Sequence, residues 1–369
     1  MASKRDTVAE LRSLSAGTAK IALTAPDGER ETLFKASAEV GRAATRAERN
    51  AQRFASAVLQ LPAEATGDEL LKVRRRQSAR RGEDVYLPSW AAIAQGLPSA
   101  FLRSELFSTG RSVQMDNDRV VAGDASLRVS ELELASFNNI KVFYSGYPLC
   151  QFDRRVYAAA LDYYRERPLA TDDCDRYVST SFFEFCGRLA IAYNANVHKA
   201  VRASLLRLNY AQLRVRVKRM NLDVPKLLSV SFEDGFATGD MKASDLLLLR
   251  VTEPIAELFG PGEWTALDRK AVGYDGLRGW LASFYASHQE PRWLSIEKLK
   301  ELSGYESRMN NFKIGLREAL DKLKADDTPL RCRVAHYQFS EDGKSLRVVR
   351  TEWPDATDGT VLVGQVPKP

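Results

Sequence analysis

From Leu97 onward the apolar positions fall into spacings that separate strands from helices. Ile140, Val142 and Tyr144 alternate, which predicts a short strand ending at the turn signal Gly146-Tyr147-Pro148. Phe152, Val156, Ala159 and Tyr163 recur at helical spacing as one helix face, closed at Arg167-Pro168 because the residue before a proline avoids helical backbone. Thr180 is placed to cap a short helix, FFEFCGRLA, with Glu184 in its first turn. Asn194 caps a longer helix whose inner face carries Val197, Val201, Leu205 and Leu208. Next, Leu213, Val215 and Val217 point one way along a strand while Arg214, Arg216 and Lys218 point the other. Leu228, Val230 and Phe232 are the expected hairpin partner, across a loop at 219–226.

The same order then returns. Leu277, Trp280, Leu281 and Phe284 form a helix face that ends before Pro291. Ser295 opens a short helix, SIEKLKEL, as a partial cap, since Lys298 stands where an acid would complete the capping box. Ser303-Gly304-Tyr305 turns the chain into a long helix with Met309, Phe312, Leu316, Leu320 and Leu323 inward. A hairpin follows, RCRVAHYQF and SLRVVR, joined at Asp342-Gly343. Helix, short helix, turn, longer helix and two-stranded ribbon, spelled twice, predict an α+β chain with two tandem winged helix-turn-helix domains. The expected boundaries are a flexible or helical N-terminal arm at 1–96, domain 1 at 97–251, domain 2 at 252–352 and a tail at 353–369.

Composition adds exclusions. The chain has 369 residues, 44% hydrophobic and 28% charged, enough for more than one buried core. The arm is rich in Ala, Arg, Glu and Ser and has few aromatics. Ala36–Gln60 can form a polar helix with a thin stripe (Val40, Phe54, Val58, Leu59), and residues 71–81 read LKVRRRQSARR, a basic linker. Val85–Leu102 carries no charge, but Pro88, Gly96 and Pro98 break it as a membrane span. MASKRD opens without a secretory apolar run, so a cytoplasmic protein with no membrane partner is expected. Cys150, Cys174, Cys186 and Cys332 form no CxxC pair and read as buried thiols. His198, His288 and His336 are too far apart for His-x-His or HExxH sites, no phosphate-wrapping GxxxxGK[ST] loop is present, and Asp172, Asp173 and Asp175 read as a solvated turn. No enzyme, metal or cofactor is expected.

Where the charge sits is more informative than its sum. From Asn194 to Met220 the chain carries Lys199, Arg202, Arg207, Arg214, Arg216, Lys218 and Arg219 and no acid, seven positive charges against a net +6 for the whole chain. Such a run points to a polyanion. A helix packed by Val197, Val201 and Leu205 would turn Asn196, Lys199 and Arg202 outward, suited to base edges in a major groove, while Arg214, Arg216 and Lys218 would suit phosphates. In the second copy the outward candidates are Arg308, Asn310, Asn311, Lys313 and Arg317, with Arg331, Arg333, Lys344 and Arg347 on the hairpin.

With those residues in view, Leu97–Arg350 resembles the TrfA-type plasmid replication initiators. The resemblance is carried by FLRSELFSTG from Phe101, NIKVFYSGYPL at 139–149, DRRVYAAALDYY from Asp153, SFFEFCGRL from Ser181, and the long stretch at 284–324 with its Ser-His-x-Glu-Pro block. It implies binding of double-stranded origin DNA at direct repeats (iterons), opening of an A+T-rich region and recruitment of the host replicative helicase and its loader. It also implies a dimer, formed through the first winged-helix domain, that restrains copy number. The family's sliding-clamp element has no clear copy in EDVYLPSWAAIAQGLP, where Tyr86-Leu87-Pro88-Ser89-Trp90 is at most a degenerate form. The alternatives are a tandem winged-helix transcriptional repressor and a nicking enzyme, the latter opposed by the histidine count.

Overall fold

The structure, a computed structural model, describes residues 4–59, 85–88, 90–110, 117–137, 140–165, 167–169, 177–217, 220–233, 241–260 and 263–352. The chain divides into two compact units, residues 1–84 and 85–369. In the first, α1 (Lys4–Thr24) and α2 (Asp27–Leu59) pack as a helical hairpin. Proline cannot continue a helix, and Pro26 marks the break; its carbonyl accepts from the N–H groups of Glu29 and Arg30. Small residues line the seam: Ala22, Ser37 and Ala44 are buried, and the Ser15 and Ser37 hydroxyls each donate to the other's carbonyl at 2.9 Å. The polar helix expected over Ala36–Gln60 falls within α2, whereas the basic run at 71–81, Cys174 and the acidic turn at 172–175 lie outside the described residues.

The second unit starts at Val85. In chain order it holds β1 (Ala94–Pro98), α3 (Asn117–Val121), β2 (Val129–Leu134), β3 (Ile140–Gly146), α4 (Gln151–Asp162), β4 (Val178–Ser181), α5 (Phe182–Arg188) and α6 (Ala195–Tyr210). Then come β5 (Gln212–Val217), β6 (Met220–Val224), β7 (Ser229–Phe232), β8 (Leu246–Arg250), β9 (Trp264–Asp268) and α7 (Gly276–Ala286). The last elements are β10 (Trp293–Ser295), α8 (Ile296–Leu302), α9 (Met309–Lys324), β11 (Val334–Phe339) and β12 (Ser345–Arg350). One-turn helices sit at Ser99–Leu102, Pro254–Glu257 and Arg269–Val272.

The strand of alternating arginines, β5, corrects the expected pairing. It does not pair with Leu228–Phe232; it lies inside a four-stranded antiparallel sheet of order β2-β3-β5-β6. Its apolar face explains the choice, because Val215 stands opposite Val142 and Leu213 opposite Tyr144, all four buried. Most of the expected loop at 219–226 is therefore strand β6, which pairs with β5 from Met220 to Val224.

After α6 come first β5 and β6, in the four-stranded sheet, and then the pair β7–β8, which β4 joins in the order β4-β8-β7. After α9 the order is β10-β12-β11. In both sheets the strand just before the short helix pairs with the last strand of the hairpin. Local chemistry sets each element's ends. Ser181, one residue beyond the expected Thr180, caps α5: its hydroxyl accepts from Glu184 N at 3.2 Å and Glu184 Oε2 accepts from Ser181 N at 3.3 Å. Asn194 Oδ1 accepts from Val197 N at 2.9 Å to start α6, and Ser295 Oγ accepts from Lys298 N at 3.1 Å to start α8. Gly343, with φ +64°, turns the second hairpin. Phe312, Leu316, Leu320 and Leu323 of α9 are fully buried, as the spacing predicts.

A joint ties the two repeats together. β1 pairs with β9 along its whole length. Arg154 of α4 is buried and hydrogen-bonds only neutral oxygens: Nη1 donates to Gly279 O at 2.7 Å and to Ser283 Oγ, and Nη2 to Tyr274 O at 3.1 Å and Val272 O at 3.2 Å. Burial lowers its pKa to about 10.

Candidate nucleic-acid interface

The longer helices α6 and α9 each have 16 residues and follow a short helix and a turn, but they differ in how much they expose. On α6 the exposed residues lie at the two ends: Ala195 and Asn196 in the first turn, with Lys199 half-exposed, and Tyr210 at the last position. Lys199 Nζ pairs with Asp118 of α3 at 3.1 Å, a surface pair that is weak in water. Arg202, expected outward in the groove, is buried, and so is Arg207, another base of the run, which corrects the reading of both as cations facing DNA. Arg202 lies over the Phe232 ring at 4.0 Å. Arg207 is drawn in by Asp153, with Nε at 3.0 and 2.9 Å from its two carboxylate oxygens and Nη1 at 2.8 Å from Asn117 Oδ1. Burial opposes the guanidinium charge, but Asp153 outweighs it and raises the Arg207 pKa. His198 is buried too, stacked on Phe182 at 3.8 Å with Nδ1 3.0 Å from the Tyr193 hydroxyl; burial lowers its pKa.

The outer face of the four-stranded sheet holds the other bases of the run. Arg214 is shared between Glu131 and Asp223, each at 3.2 Å, and Lys141 pairs with Glu133 at 3.1 Å. Arg216 is exposed and lies over Phe143 at 5.0 Å. Acids on neighbouring strands compensate Arg214 and Lys141, so the face is not the uniformly positive surface that the linear sequence suggests. Lys218 and Arg219 lie outside the described residues.

On α9 the sequence reading places the residues well. Arg308, Asn310, Asn311 and Arg317 are exposed. Lys313 is half-buried, and its ammonium donates to Gly343 O at 3.1 Å, holding the hairpin turn against the helix. Arg331 and Lys344 are exposed; Arg347 is half-buried on β12. Arg333 is turned inward, Nε donating to Thr328 O at 3.0 Å and Nη1 pairing with Asp326 at 3.3 Å.

Two features were missed. Ile314 is exposed in the middle of this polar face, and its place off the inner stripe was the available signal. The other is a repeated contact. Arg202 of α6 stacks on Phe232, the last residue of β7, and Arg317 of α9 lies over Phe339, the last residue of β11, at 4.9 Å. The longer helix and its hairpin are thus clamped alike in both repeats, by residues too far apart in sequence to be paired by inspection.

Among the described residues no group of His, Cys, Asp and Glu could hold a metal ion, and no helix is long and apolar enough to cross a membrane. Two crystal structures of domains 2 and 3 of RctB are similar at 12% identity. One has a TM-score of 0.37, covering 60% of this chain and 92% of that one. The other has a TM-score of 0.38, covering 60% and 90%. No curated protein matches the chain. The family described as TrfA protein matches residues 53–334, well over half the sequence. The chain therefore belongs to the TrfA family of plasmid replication initiators.

Proposed function

We propose that residues 85–352 form two tandem winged helix-turn-helix modules that bind direct repeats at a plasmid origin, promote opening of an A+T-rich region and recruit the host helicase and its loader. In this reading α5–α6 and α8–α9 are the helix-turn-helix pairs, α6 and α9 enter adjacent major grooves, and β7–β8 and β11–β12 are the wings. The observation that carries it is the repeated three-stranded unit, in which strand, short helix, longer helix and hairpin share one sheet order and an arginine of the longer helix lies over the last phenylalanine of the hairpin's first strand, with β5 and β6 inserted before the hairpin in the first copy. Family membership supplies the origin as the DNA. The reading also includes a dimer, formed through the first module, that restrains copy number.

Base contacts fall to Asn196 and Lys199 in the first module and to Arg308, Asn310 and Asn311 in the second. Lys313, Arg317, Arg331, Lys344 and Arg347 serve the backbone. Arg214 and Arg216 contribute less, the first because Glu131 and Asp223 already share its field, the second because it lies over the Phe143 ring.

Footprinting on origin repeats tests this. Lys199→Ala with Arg308→Ala should abolish repeat protection. Arg331→Ala and Lys344→Ala should weaken all DNA binding and lower the slope of log affinity against log salt by about one each. Arg214→Ala with Arg216→Ala should leave that slope nearly unchanged. Repeat-specific protection that survives the helix substitutions overturns the assignment of α6 and α9.

A further inference from the structure

Ile314 stands about 200° around the helix from Phe312, nearly opposite the buried stripe of α9, and is 56% exposed. Asn310 lies one turn before it and Asn311 and Arg317 lie to either side, all exposed. From Arg308 to Arg317 the chain carries three bases and no acid. A lone exposed isoleucine needs no explanation on an ordinary surface. Here it sits in the N-terminal half of the helix that the proposed function sends into the groove, between the exposed amides Asn310 and Asn311 and Arg317, with the acids Glu318 and Asp321 further along the same face. The bases of that N-terminal part, Arg308, Lys313 and Arg317, with no acid among them, favour a polyanion over an apolar protein partner. In the major groove the C5-methyl of thymine is the apolar group a side chain can touch, and asparagine beside it matches adenine.

We propose that Ile314 reads a thymine methyl group, so that the second module requires thymine at one position of its site. This rests on the reading of α9 as a groove-bound helix, and the test separates the two. A binding site is first selected from a random duplex library with the full chain. Each thymine is then replaced singly by uracil, which deletes only the C5-methyl, and affinities are measured for the native chain and for Ile314→Ala. Being exposed, the substitution should leave the melting temperature unchanged.

At one thymine within the stretch protected by the second module, uracil should weaken the native chain about fourfold, the worth of one buried methyl. At that position Ile314→Ala should bind thymine and uracil duplexes equally. If every thymine gives the same ratio in both proteins, or no uracil weakens native binding, the role of Ile314 is overturned while α9 stands. If the native chain selects no sequence at all, the proposed function fails first.

Discussion

Replacing Arg207 with Met separates a structural cation from a DNA-contacting one. In the native chain the Arg207 and Asp153 side chains are 2% and 0% exposed and pair at 2.9 Å. Asp153 also accepts from Cys150 N at 2.8 Å, closing the first turn of α4, and burial together with the nearby Asp153 charge pushes the Cys150 thiol up to about 12. Met keeps most of the arginine's apolar stem but leaves the carboxylate buried with a single backbone donor and strands Asn117. Breaking a buried pair from one side costs about 3–5 kcal/mol, chiefly the uncompensated charge. In a unit of this size that corresponds to a fall in Tm on the order of 10 °C. Asp153→Leu together with Arg207→Met should recover most of the loss, since no charge is then left without a partner. The assays are thermal and urea unfolding, with the salt dependence of DNA binding measured on the same preparations. A buried Arg207 touches no phosphate, so the salt slope should not change. A variant that melts within about 2 °C of native while its salt slope falls by about one would refute the reasoning and return Arg207 to the DNA surface.

Two further outcomes follow from buried and capping groups. His288 is buried against Phe137 and Phe284, donates from Nδ1 to Phe284 O at 2.7 Å and faces Arg103, Arg292 and Arg350. Burial, and then those positive charges, lower its pKa to about 4. The unfolded chain takes up the proton first, so this contribution is complete above pH 6.5 and is lost as pH falls toward 4, about 3 kcal/mol in all. Urea unfolding between pH 7 and 4 should show that slope flattened in His288→Gln; an unchanged slope removes the histidine from the account. Ser181→Ala and Ser295→Ala should each cost ~1 kcal/mol through a lost helix cap, read as a lower urea midpoint. Unchanged midpoints in both would show that Glu184 and the hairpin strands, not the serines, fix where α5 and α8 begin.

The helices and the second hairpin were legible in the sequence because each is set by local spacing and turn chemistry. Phe312, Leu316 and Leu320 announce α9, and Asp342-Gly343 announces its hairpin. The partner of β5 was not legible. Its alternation fixes which face is buried but not which strand covers it, and that strand is β3, far back in the chain. The same limit misplaced Arg202 and Arg207. A count of bases without acids cannot see that Asp153 and Phe232, distant in sequence, turn two of them inward. Glu131, Glu133 and Asp223 neutralise bases of the sheet in the same way. On α9 the outward candidates Arg308, Asn310, Asn311 and Arg317 are exposed, as local helical spacing alone predicts.

Three of the stretches that carry the family resemblance supply contacts of the joint between the modules. Arg103 and Ser108 come from FLRSELFSTG; Arg103 Nε donates to Ser287 Oγ at 3.0 Å, and Ser108 Oγ to Gly304 O at 3.2 Å. Arg154, from DRRVYAAALDYY, reaches the carbonyls around α7. The Ser-His-x-Glu-Pro block receives Arg103 at Ser287, while Arg350 of β12 donates to His288 O at 3.0 Å. These contacts are internal and set how α6 and α9 are held relative to each other. They do not involve Asn196, Lys199, Asn310, Asn311 or Ile314. In the proposed reading, the length of DNA spanned is therefore set by these buried contacts, and the sequence read along that length belongs to a few exposed side chains on two helix faces.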